Sequence, residues 1–283
     1  MTPLILLIDS NNLCYRMRYS LGDLSFEEQK VSIIFGFLRQ ILTLAKKFNT
    51  NHFVFCWDSR NNKRKEIYPA YKATRHKDRT EEEKELDEIA YTQFAILQEE
   101  ILPEIGFKNN FCADGYESDD IIAKIVQTNK ESKFIIVSTD NDLFQLLHKD
   151  VAMLIGTNKI YSWKDFTQDY HIHSRDWSEV KSIAGCISDN VIGVKGVGEK
   201  TAIKYLYNEL NATSKSYKAI RANSDLIDLN RRLVTLPYEG TPNFSLIEDE
   251  FSIDNFLNIC QRYGFNSLLT KDSLIQWKER FFK

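Results

Sequence analysis

Eight acidic residues of this chain stand in short motifs that suit metal-dependent chemistry. Any one of them would be unremarkable, because aspartates commonly cap helices or lie in turns. Gathered in one place, they would carry like charges whose repulsion calls for a cation. Three fall within four consecutive residues, and two others flank a single asparagine. The eight are Asp9, Asp58, Glu117, Asp119, Asp120, Asp140, Asp142 and Asp189.

The types of these side chains indicate which metal they would bind. Ligation by carboxylates alone favours a hard dication, Mg²⁺ or Mn²⁺. Two such ions about 4 Å apart can hydrolyse a phosphodiester, because they help to generate hydroxide and stabilise charge on the attacking and leaving oxygens. None of the five histidines falls in these motifs, and the five cysteines form no C-x-x-C pair. We therefore expect two divalent ions, and neither a thiolate zinc site nor a histidine or cysteine nucleophile.

A basic segment follows Asp58. Residues 60–79 carry eight lysines and arginines against two acids, and the difference gives a local charge of about +6. A solvated loop and helix face would explain this composition. A clamp for single-stranded nucleic acid, with cations on phosphates and tyrosines on bases, would explain it as well, and the position after a strand-end aspartate favours the clamp. The basic residues are Arg60, Lys63, Arg64, Lys65, Lys72, Arg75, Lys77 and Arg79, the acids Glu66 and Asp78, and the tyrosines Tyr68 and Tyr71.

A glycine-rich turn at residues 191–200 precedes a predicted helix at 201–210. Glycines allow a tight turn, and amides at the start of a helix can hold a phosphate. A plain helix–turn–helix connector would look similar, but three nearby lysines favour a grip on the DNA backbone without base reading. The residues expected to contact DNA here are Lys195, Gly196, Gly198, Lys200 and Lys204.

The elements that position the acids follow from the apolar pattern. Apolar runs predict strands at 4–8, 53–57, 134–137 and 151–155, and helical periodicity predicts helices at 25–48, 88–105 and 116–128. Ser25 and Glu28 have capping-box spacing for the first helix, and Ser118 is the predicted N-cap of the third. Strands that alternate with helices predict an α/β domain with a mostly parallel sheet. Three of the strands end in acids, which should converge at the carboxyl edge, where such sheets bind ligands.

Length and composition bound the organisation. A chain of 283 residues and 33.1 kDa suits one large domain with a smaller appendage. We expect an α/β core over 1–170 and a helical region over 171–283, with a surface loop at 237–243. The net charge of −3 does not by itself favour nucleic acid. Scattered thiols suit a reducing compartment, and the apolar start is too short to span a membrane. These features predict a soluble, cytoplasmic protein without a membrane partner.

With these motifs in order, the chain resembles the flap endonuclease / 5′–3′ exonuclease family of phages and bacteria. That family includes the nuclease domain attached to bacterial DNA polymerase I. Six blocks carry the resemblance over most of the chain, at 8–13, 57–58, 71–75, 115–122, 138–143 and 188–202. Residues 79–88 are similar to phage members that have a helical arch.

The resemblance implies a fold and roles for the residues. The fold would be a PIN-like nuclease core with helices around a mostly parallel sheet, an arch at about 60–90, a helix–three-turn–helix DNA-binding element at about 176–212, and C-terminal helices packed on the core. The first metal would be held by Asp58, Glu117, Asp119 and Asp140, and the second by Asp142 and Asp189. Catalytic roles would fall to Asp9 and Asp120 in the same acidic cluster, and to Lys72 and Arg75 at the scissile phosphate. Tyr71 would stack on the terminal nucleotide, and the hairpin would carry K⁺.

One position departs from the family pattern. The family usually has Gly-Asp-x-x-Asp-Asn, whereas Cys186 replaces the first aspartate here. A thiol is a poor ligand for Mg²⁺. Our hypothesis is that the second metal binds more weakly or through extra water, and the alternative is that Asp142 and Asp189 suffice.

The favoured function is a structure-selective 5′ nuclease with a two-metal mechanism, active in DNA replication or repair. We expect a monomer and a separate polypeptide that acts on DNA with a 5′ end or 5′ flap. Two other interpretations stay open. One is a nuclease directed at RNA, such as one that removes RNA primers from a hybrid with DNA. The other is a DNA-binding homologue with weakened catalysis, which Cys186 alone supports and the intact acids oppose.

Overall fold

A six-stranded sheet forms the centre of the computed structural model, which describes residues 3–20, 24–75, 77 and 79–282. In chain order the strands are β1 (Leu4–Asp9), β2 (Ser25–Phe26), β3 (Gln29–Lys30), β4 (Phe53–Trp57), β5 (Asn110–Cys112), β6 (Lys133–Val137), β7 (Val151–Ile155), β8 (Lys159–Tyr161), β9 (Gly185–Cys186) and β10 (Val191–Ile192). The sheet has the order β5-β4-β1-β6-β7-β8. Its pairs are parallel except for β7–β8, which is antiparallel.

Helices cover both faces of this sheet. They are α1 (Ser10–Ser20), α2 (Ser32–Phe48), α3 (Arg64–Ile67), α4 (Glu81–Ile96), α5 (Leu102–Ile105), α6 (Ser118–Thr128), α7 (Trp163–Tyr170), α8 (Trp177–Ala184), α9 (Glu199–Leu206), α10 (Lys215–Ala222), α11 (Ser224–Val234), α12 (Ile253–Arg262) and α13 (Lys271–Phe281). A π-helical turn, Leu97–Ile101, joins α4 to α5. The predicted helix at 88–105 therefore exists but starts earlier, because Thr80 and Glu83 form a capping box.

The strand pattern explains the two hydrophobic layers. Along β1, Leu6 and Ile8 belong to one apolar cluster, and Ile5 and Leu7 belong to the other. Successive side chains of a strand point to opposite faces, so a strand buried on both faces reads as a continuous apolar run. The predicted α/β class with a mostly parallel sheet is thus confirmed, and the four predicted strands are present. The edge strands β5 and β8 were missed because both are short and contain polar residues.

The C-terminal helices pack on the sheet face that α2 covers. Phe256 of α12 and Trp277 and Phe281 of α13 share a cluster with Phe53 and Phe55 of β4. The chain between α11 and α12, residues 235–252, forms neither helix nor strand and contains the predicted loop at 237–243. This stretch is not wholly superficial, since Thr241 is buried. Among the described residues, no helix is both long and apolar enough to cross a membrane.

The predicted helix at 25–48 is wrong over its first residues. A small hairpin of β2 and β3 takes their place, and α2 begins at Ser32. Glu27 and Glu28 adopt positive φ angles of 47° and 67°, which a helix cannot contain. The hairpin brings Phe26 against Gly264, so a distant contact overrides the capping-box spacing of Ser25 and Glu28.

We expect Gly264→Ala to destabilise the fold more than Gly156→Ala does. Both glycines have a φ of +67°, but a Cβ at Gly264 would lie 2.2 Å from Cδ2 of Phe26, whereas one at Gly156 would meet nothing within 4 Å. The left-handed backbone alone costs about 1–2 kcal/mol for alanine, and the overpacked contact adds about 1–3 kcal/mol. Urea denaturation of both variants measures the difference. Equal losses of unfolding free energy would contradict the Phe26 contact.

Candidate active site

Three aspartates lie side by side at the carboxyl edge of the sheet. Asp9 ends β1, Asp58 follows β4, and Asp140 follows β6 by a few residues. Because β1 pairs with both β4 and β6 in parallel, the three strand ends are neighbours. Asp119 joins them from the first turn of α6, as its electrostatic interactions with Asp140, Asp9 and Asp58 show. We call Asp9, Asp58, Asp119 and Asp140 the acidic cluster.

Asp9 lies at the base of this cluster. Its side chain is buried and accepts hydrogen bonds from the hydroxyls of Ser118, at 3.1 Å, and Ser138, at 2.7 Å. Burial, followed by the charges of Asp58 and Asp140, raises the pKa of Asp9 to about 7. Burial and the neighbouring negative charges together thus favour the protonated form of this carboxyl group.

Asp119 carries the most direct sign of a cation site. Its Oδ1 atom is buried and accepts no hydrogen bond from any described residue. Burial and the charges of Asp140 and Asp9 hold the pKa of Asp119 well above its usual range. A buried oxygen with no partner is costly unless something satisfies it. The donors here are carboxylate oxygens, so the acidic cluster fits a hard dication such as Mg²⁺ or Mn²⁺.

The raised pKa of Asp9 predicts how stability depends on pH when metal is chelated. Between its ordinary value of 3.8 and its folded value of about 7, Asp9 holds a proton in the folded protein but not in the unfolded chain. The free energy of unfolding therefore decreases as the pH rises through this interval. In EDTA, we expect the unfolding free energy of the wild type to fall over this range relative to that of Asp9→Asn. Urea melts across the interval measure this, and parallel curves would refute it.

Glu117 has a different environment from the cluster aspartates. Its carboxylate pairs with the Lys72 ammonium, accepts a hydrogen bond from the Tyr71 hydroxyl at 2.9 Å, and lies 3.3 Å from Arg64 Nη1. Although burial disfavours its charged form, Lys72 and Arg64 lower the pKa of Glu117 to about 2. Glu117 is therefore ionised at any physiological pH.

A second group of donors adjoins the acidic cluster. One donor atom from each of Asp142, Cys186 and Asp189 lies within 4.8 Å of the other two. We call these three residues the thiol site. Lys181 of α8 places its Nζ 3.3 Å from Oδ1 of Asp142. Burial and the charges of Asp142 and Asp189 raise the pKa of the Cys186 thiol to about 11.

Asp120 does not belong to the acidic cluster, which corrects the role expected for it. Its carboxylate is fully buried and forms two 2.7 Å hydrogen bonds with the Arg64 guanidinium. It also accepts from the backbone amides of Glu117, at 3.0 Å, and Tyr238, at 2.8 Å. Neighbouring residues of a helix point about 100° apart, and here Asp120 points to the Arg64 guanidinium, whereas Asp119 joins the acidic cluster. Asp120 therefore stabilises the local fold by holding Arg64 and the backbone of Glu117 in place.

Two expectations for the basic segment are also wrong. Arg64 was counted among the cations facing a nucleic acid, yet only 1% of it is exposed. Tyr71 was expected to stack on a nucleotide, but the residue is only 2% exposed, and its single hydroxyl hydrogen is shared between carboxylate oxygens of Glu117, at 2.9 Å, and Asp189, at 3.1 Å. Counting residues along the sequence treats every side chain as exposed to solvent. Arg64 and Tyr71 instead form hydrogen bonds with buried carboxylates of the protein itself.

Two other cations of the basic segment, Lys72 and Arg75, contact carboxylates of the site. Lys72 contacts Glu117, and its Nζ lies 3.9 Å from Oδ2 of Asp189. Arg75 Nη2 is 2.5 Å from Oδ1 of Asp189, and Arg79 pairs with Asp87 of α4. The described residues of the range 60–90, where the arch is predicted, include α3, several turns and the start of α4. Asp78, counted in the local charge, lies outside the described residues.

The glycine-rich turn lies between α8 and α9 and begins with β10, the second strand of the β9–β10 ribbon. Gly198 caps α9, and a Cβ on either Gly196 or Gly198 would meet nothing within 4 Å. The surface above these glycines therefore leaves room for the backbone of another molecule, such as DNA, to approach closely. The DNA-contact candidates Lys195, Gly196, Gly198, Lys200 and Lys204 are all exposed.

Three side chains of the site were missed from the sequence. Ser118 and Ser138 stand next to acidic motifs, and that adjacency could have identified them as partners of Asp9. Lys181 had no such signal, because only folding brings α8 to Asp142.

A mostly parallel sheet, flanking helices and carboxylates converging at the carboxyl edge together define a PIN-like nuclease fold. The family model "5'-3' exonuclease, N-terminal resolvase-like domain" matches residues 4–171. The chain therefore belongs to the 5′–3′ exonuclease family, and the resemblance seen in its motifs is confirmed.

Individual relatives agree with this assignment. The chain is 29% identical to a 5′-3′ exonuclease of Halalkalibacterium halodurans, over 87% of this chain and 88% of that protein. It is 27% identical to DNA polymerase I of Caldicellulosiruptor bescii, over 94% of this chain but only 33% of the polymerase. The solved bacteriophage T5 D15 flap endonuclease, in a pseudo-enzyme–product complex with DNA and metal ions, aligns with a TM-score of 0.72 at 25% identity. That alignment covers 83% of this chain and 89% of the T5 protein.

Proposed function

We propose that this protein is a divalent-metal-dependent 5′ nuclease that hydrolyses phosphodiester bonds in DNA with a free or flapped 5′ end. The observation that carries the proposal is the acidic cluster, in which Oδ1 of Asp119 has no partner among the described residues and Lys72 is a neighbouring cation. The DNA and metal ions of the T5 D15 complex support the same function. Replication or repair is where such DNA ends arise.

The two parts of the chain would have different tasks. Residues 1–170 form the nuclease core with its arch, and residues 171–283 form the helical region with the helix–three-turn–helix element at about 176–212. The exposed lysines of that element would hold the duplex phosphates. We also propose that the hairpin of this element binds K⁺ and that the protein is a monomer.

The acids provide the places for two divalent ions. Asp58, Glu117, Asp119 and Asp140 would hold the first, and Asp142 and Asp189 the second. Such ions supply positive charge for the attacking and leaving oxygens of a phosphodiester. Asp9 would hold the carboxyl edge of the sheet in place through the hydrogen bonds that it accepts from the hydroxyls of Ser118 and Ser138.

Lys72 and Arg75 have a second task in this scheme. Burial notwithstanding, Glu117 and Asp189 raise the pKa of Lys72, so its ammonium stays charged. Both cations contact carboxylates of the site, Lys72 at Glu117 and Arg75 at Asp189. From there, they can bind the phosphate to be cleaved and stabilise the charge that develops on it.

A cleavage assay tests the proposed function. The protein is incubated with labelled 5′-flap DNA in Mg²⁺, in Mn²⁺ and in EDTA, beside a 3′-flap substrate of the same sequence and an RNA flap. We expect short products from the DNA 5′ flap only when a divalent metal is present. Binding without cleavage in every metal would identify a DNA-binding homologue, and cleavage of RNA alone would identify a ribonuclease.

A further inference from the structure

The thiol site has a different set of donors from the acidic cluster. The cluster offers carboxylate oxygens alone, whereas Cys186 brings a sulfur within 4.8 Å of donor oxygens of Asp142 and Asp189. Its Sγ lies 3.7 Å from Oδ2 of Asp142 and 3.0 Å from the Ser188 hydroxyl. Cys186 is 6% exposed, so its sulfur faces these polar groups rather than bulk solvent.

Such a set does not suit Mg²⁺. Mg²⁺ requires octahedral oxygen ligands and keeps several waters, and a thiolate is too soft for it. Dications of borderline or soft character accept sulfur together with carboxylate oxygen, as Zn²⁺ does with Cys and Asp or Glu ligands. The chemistry of the donors thus separates the two positions.

We propose that Asp142, Cys186 and Asp189 form a mixed thiolate–carboxylate site for a thiophilic dication, so that the protein holds two different metals side by side. This inference rests on the proposed nuclease function and specifies the metal at its second position. Coordination replaces the proton of the Cys186 thiol, and that proton passes to the solvent.

The backbone holds the donors in place. Cys186 pairs with Val191 across the β9–β10 ribbon, and Asp189 lies on the short turn that closes this ribbon. The spacing of the sulfur and the Asp189 carboxylate is therefore set by the hairpin and does not depend on a long flexible side chain. Pre-organised donors of this kind favour metal binding.

Neighbouring cations can release the two carboxylates. Lys181 Nζ lies 3.3 Å from Asp142 and equally 3.3 Å from Glu199, so it keeps a partner when Asp142 turns to a metal. Arg75, which pairs with Asp189, has a 43% exposed side chain and can be solvated instead. Neither exchange strands a buried charge.

The test is a metal titration of the intact protein followed by absorption. Cd²⁺ bound to a thiolate gives a sulfur-to-metal charge-transfer band, and oxygen ligands give none. We expect one equivalent of Cd²⁺ to produce the band in the wild type, and excess Mg²⁺ to leave it in place. Cys186→Ser should lose the band and weaken Cd²⁺ binding by at least about 100-fold, because losing a direct ligand should cost no less than the upper range for losing an outer-shell partner. Cys112→Ser changes an exposed thiol near Asp58 and should keep it.

A Cys186→Asp variant makes the complementary measurement. It should give no band and should bind Mg²⁺ at a second position more tightly than the wild type does. A band that persists in Cys186→Ser, or Mg²⁺ that displaces Cd²⁺ from the wild type at similar concentration, overturns the inference. Cleavage of 5′-flap DNA without any Cys186-dependent band refutes this site alone. A Cys186-dependent band without cleavage supports the site and refutes the nuclease proposal.

Discussion

Asp119→Asn lowers cleavage of a 5′-flap substrate about 1000-fold, the upper range for losing one electrostatic group of an active site, while DNA binding stays close to that of the wild type. The substitution keeps the size of the side chain but removes the negative charge that a dication needs. Asp119 Oδ1 has no hydrogen-bond partner among the described residues, so the amide breaks no bond that the fold depends on. Stability in EDTA should therefore not fall.

The matched control is Asp272→Asn. Asp272 also lies in the first turn of a helix, α13, but it is exposed and belongs to the C-terminal helices. Single-turnover cleavage in Mg²⁺ and DNA binding in EDTA are measured for both variants. The control should behave as the wild type does in both assays. A rate for Asp119→Asn within a few-fold of the wild type would remove Asp119 from the ligands.

The place of the acids could be predicted from the sequence because it depends on local patterns and one general rule. The apolar runs that became β1, β4 and β6 need burial on both faces, and only a sheet covered on both sides provides it. Parallel strands bring their carboxyl ends to one edge, so acids that follow them must be neighbours. This reasoning needs no knowledge of distant contacts, and it placed Asp9, Asp58 and Asp140 together.

The predictions from the sequence were wrong where a contact between residues far apart in the chain determined the local structure. Ser25 and Glu28 have the spacing of a helix start, but Phe26 packs on Gly264 and the chain turns into a hairpin instead. Arg64 looks like one more cation of a basic segment, and nothing near it in the chain indicates that it pairs with Asp120. Composition and periodicity do not indicate which residues distant in the sequence will become partners.

Asp120→Asn, one residue further along α6, should have the opposite effect to Asp119→Asn. The change removes the carboxylate that forms two hydrogen bonds with Arg64, a residue that is 1% exposed, and among the described residues leaves only Glu117 as a charged neighbour 3.3 Å away. Breaking a buried pair by removing one partner costs about 3–5 kcal/mol. We expect a loss of this size in the unfolding free energy, measured in urea. Cleavage per folded molecule should stay near that of the wild type, because Asp120 faces Arg64 rather than the acidic cluster.

A double-mutant cycle with Arg64→Met separates the pair from its surroundings. Arg64 also donates to the Leu233 carbonyl at 2.8 Å and lies 3.3 Å from Glu117, so its removal has costs beyond the Asp120 pair. Once the guanidinium is gone, Asp120→Asn removes a buried unpaired charge and should cost far less than it does in the wild type, or even stabilise the protein. Additive losses would show that the two side chains act independently. Loss of cleavage by folded Asp120→Asn, with an unchanged metal affinity, would return Asp120 to the catalytic residues.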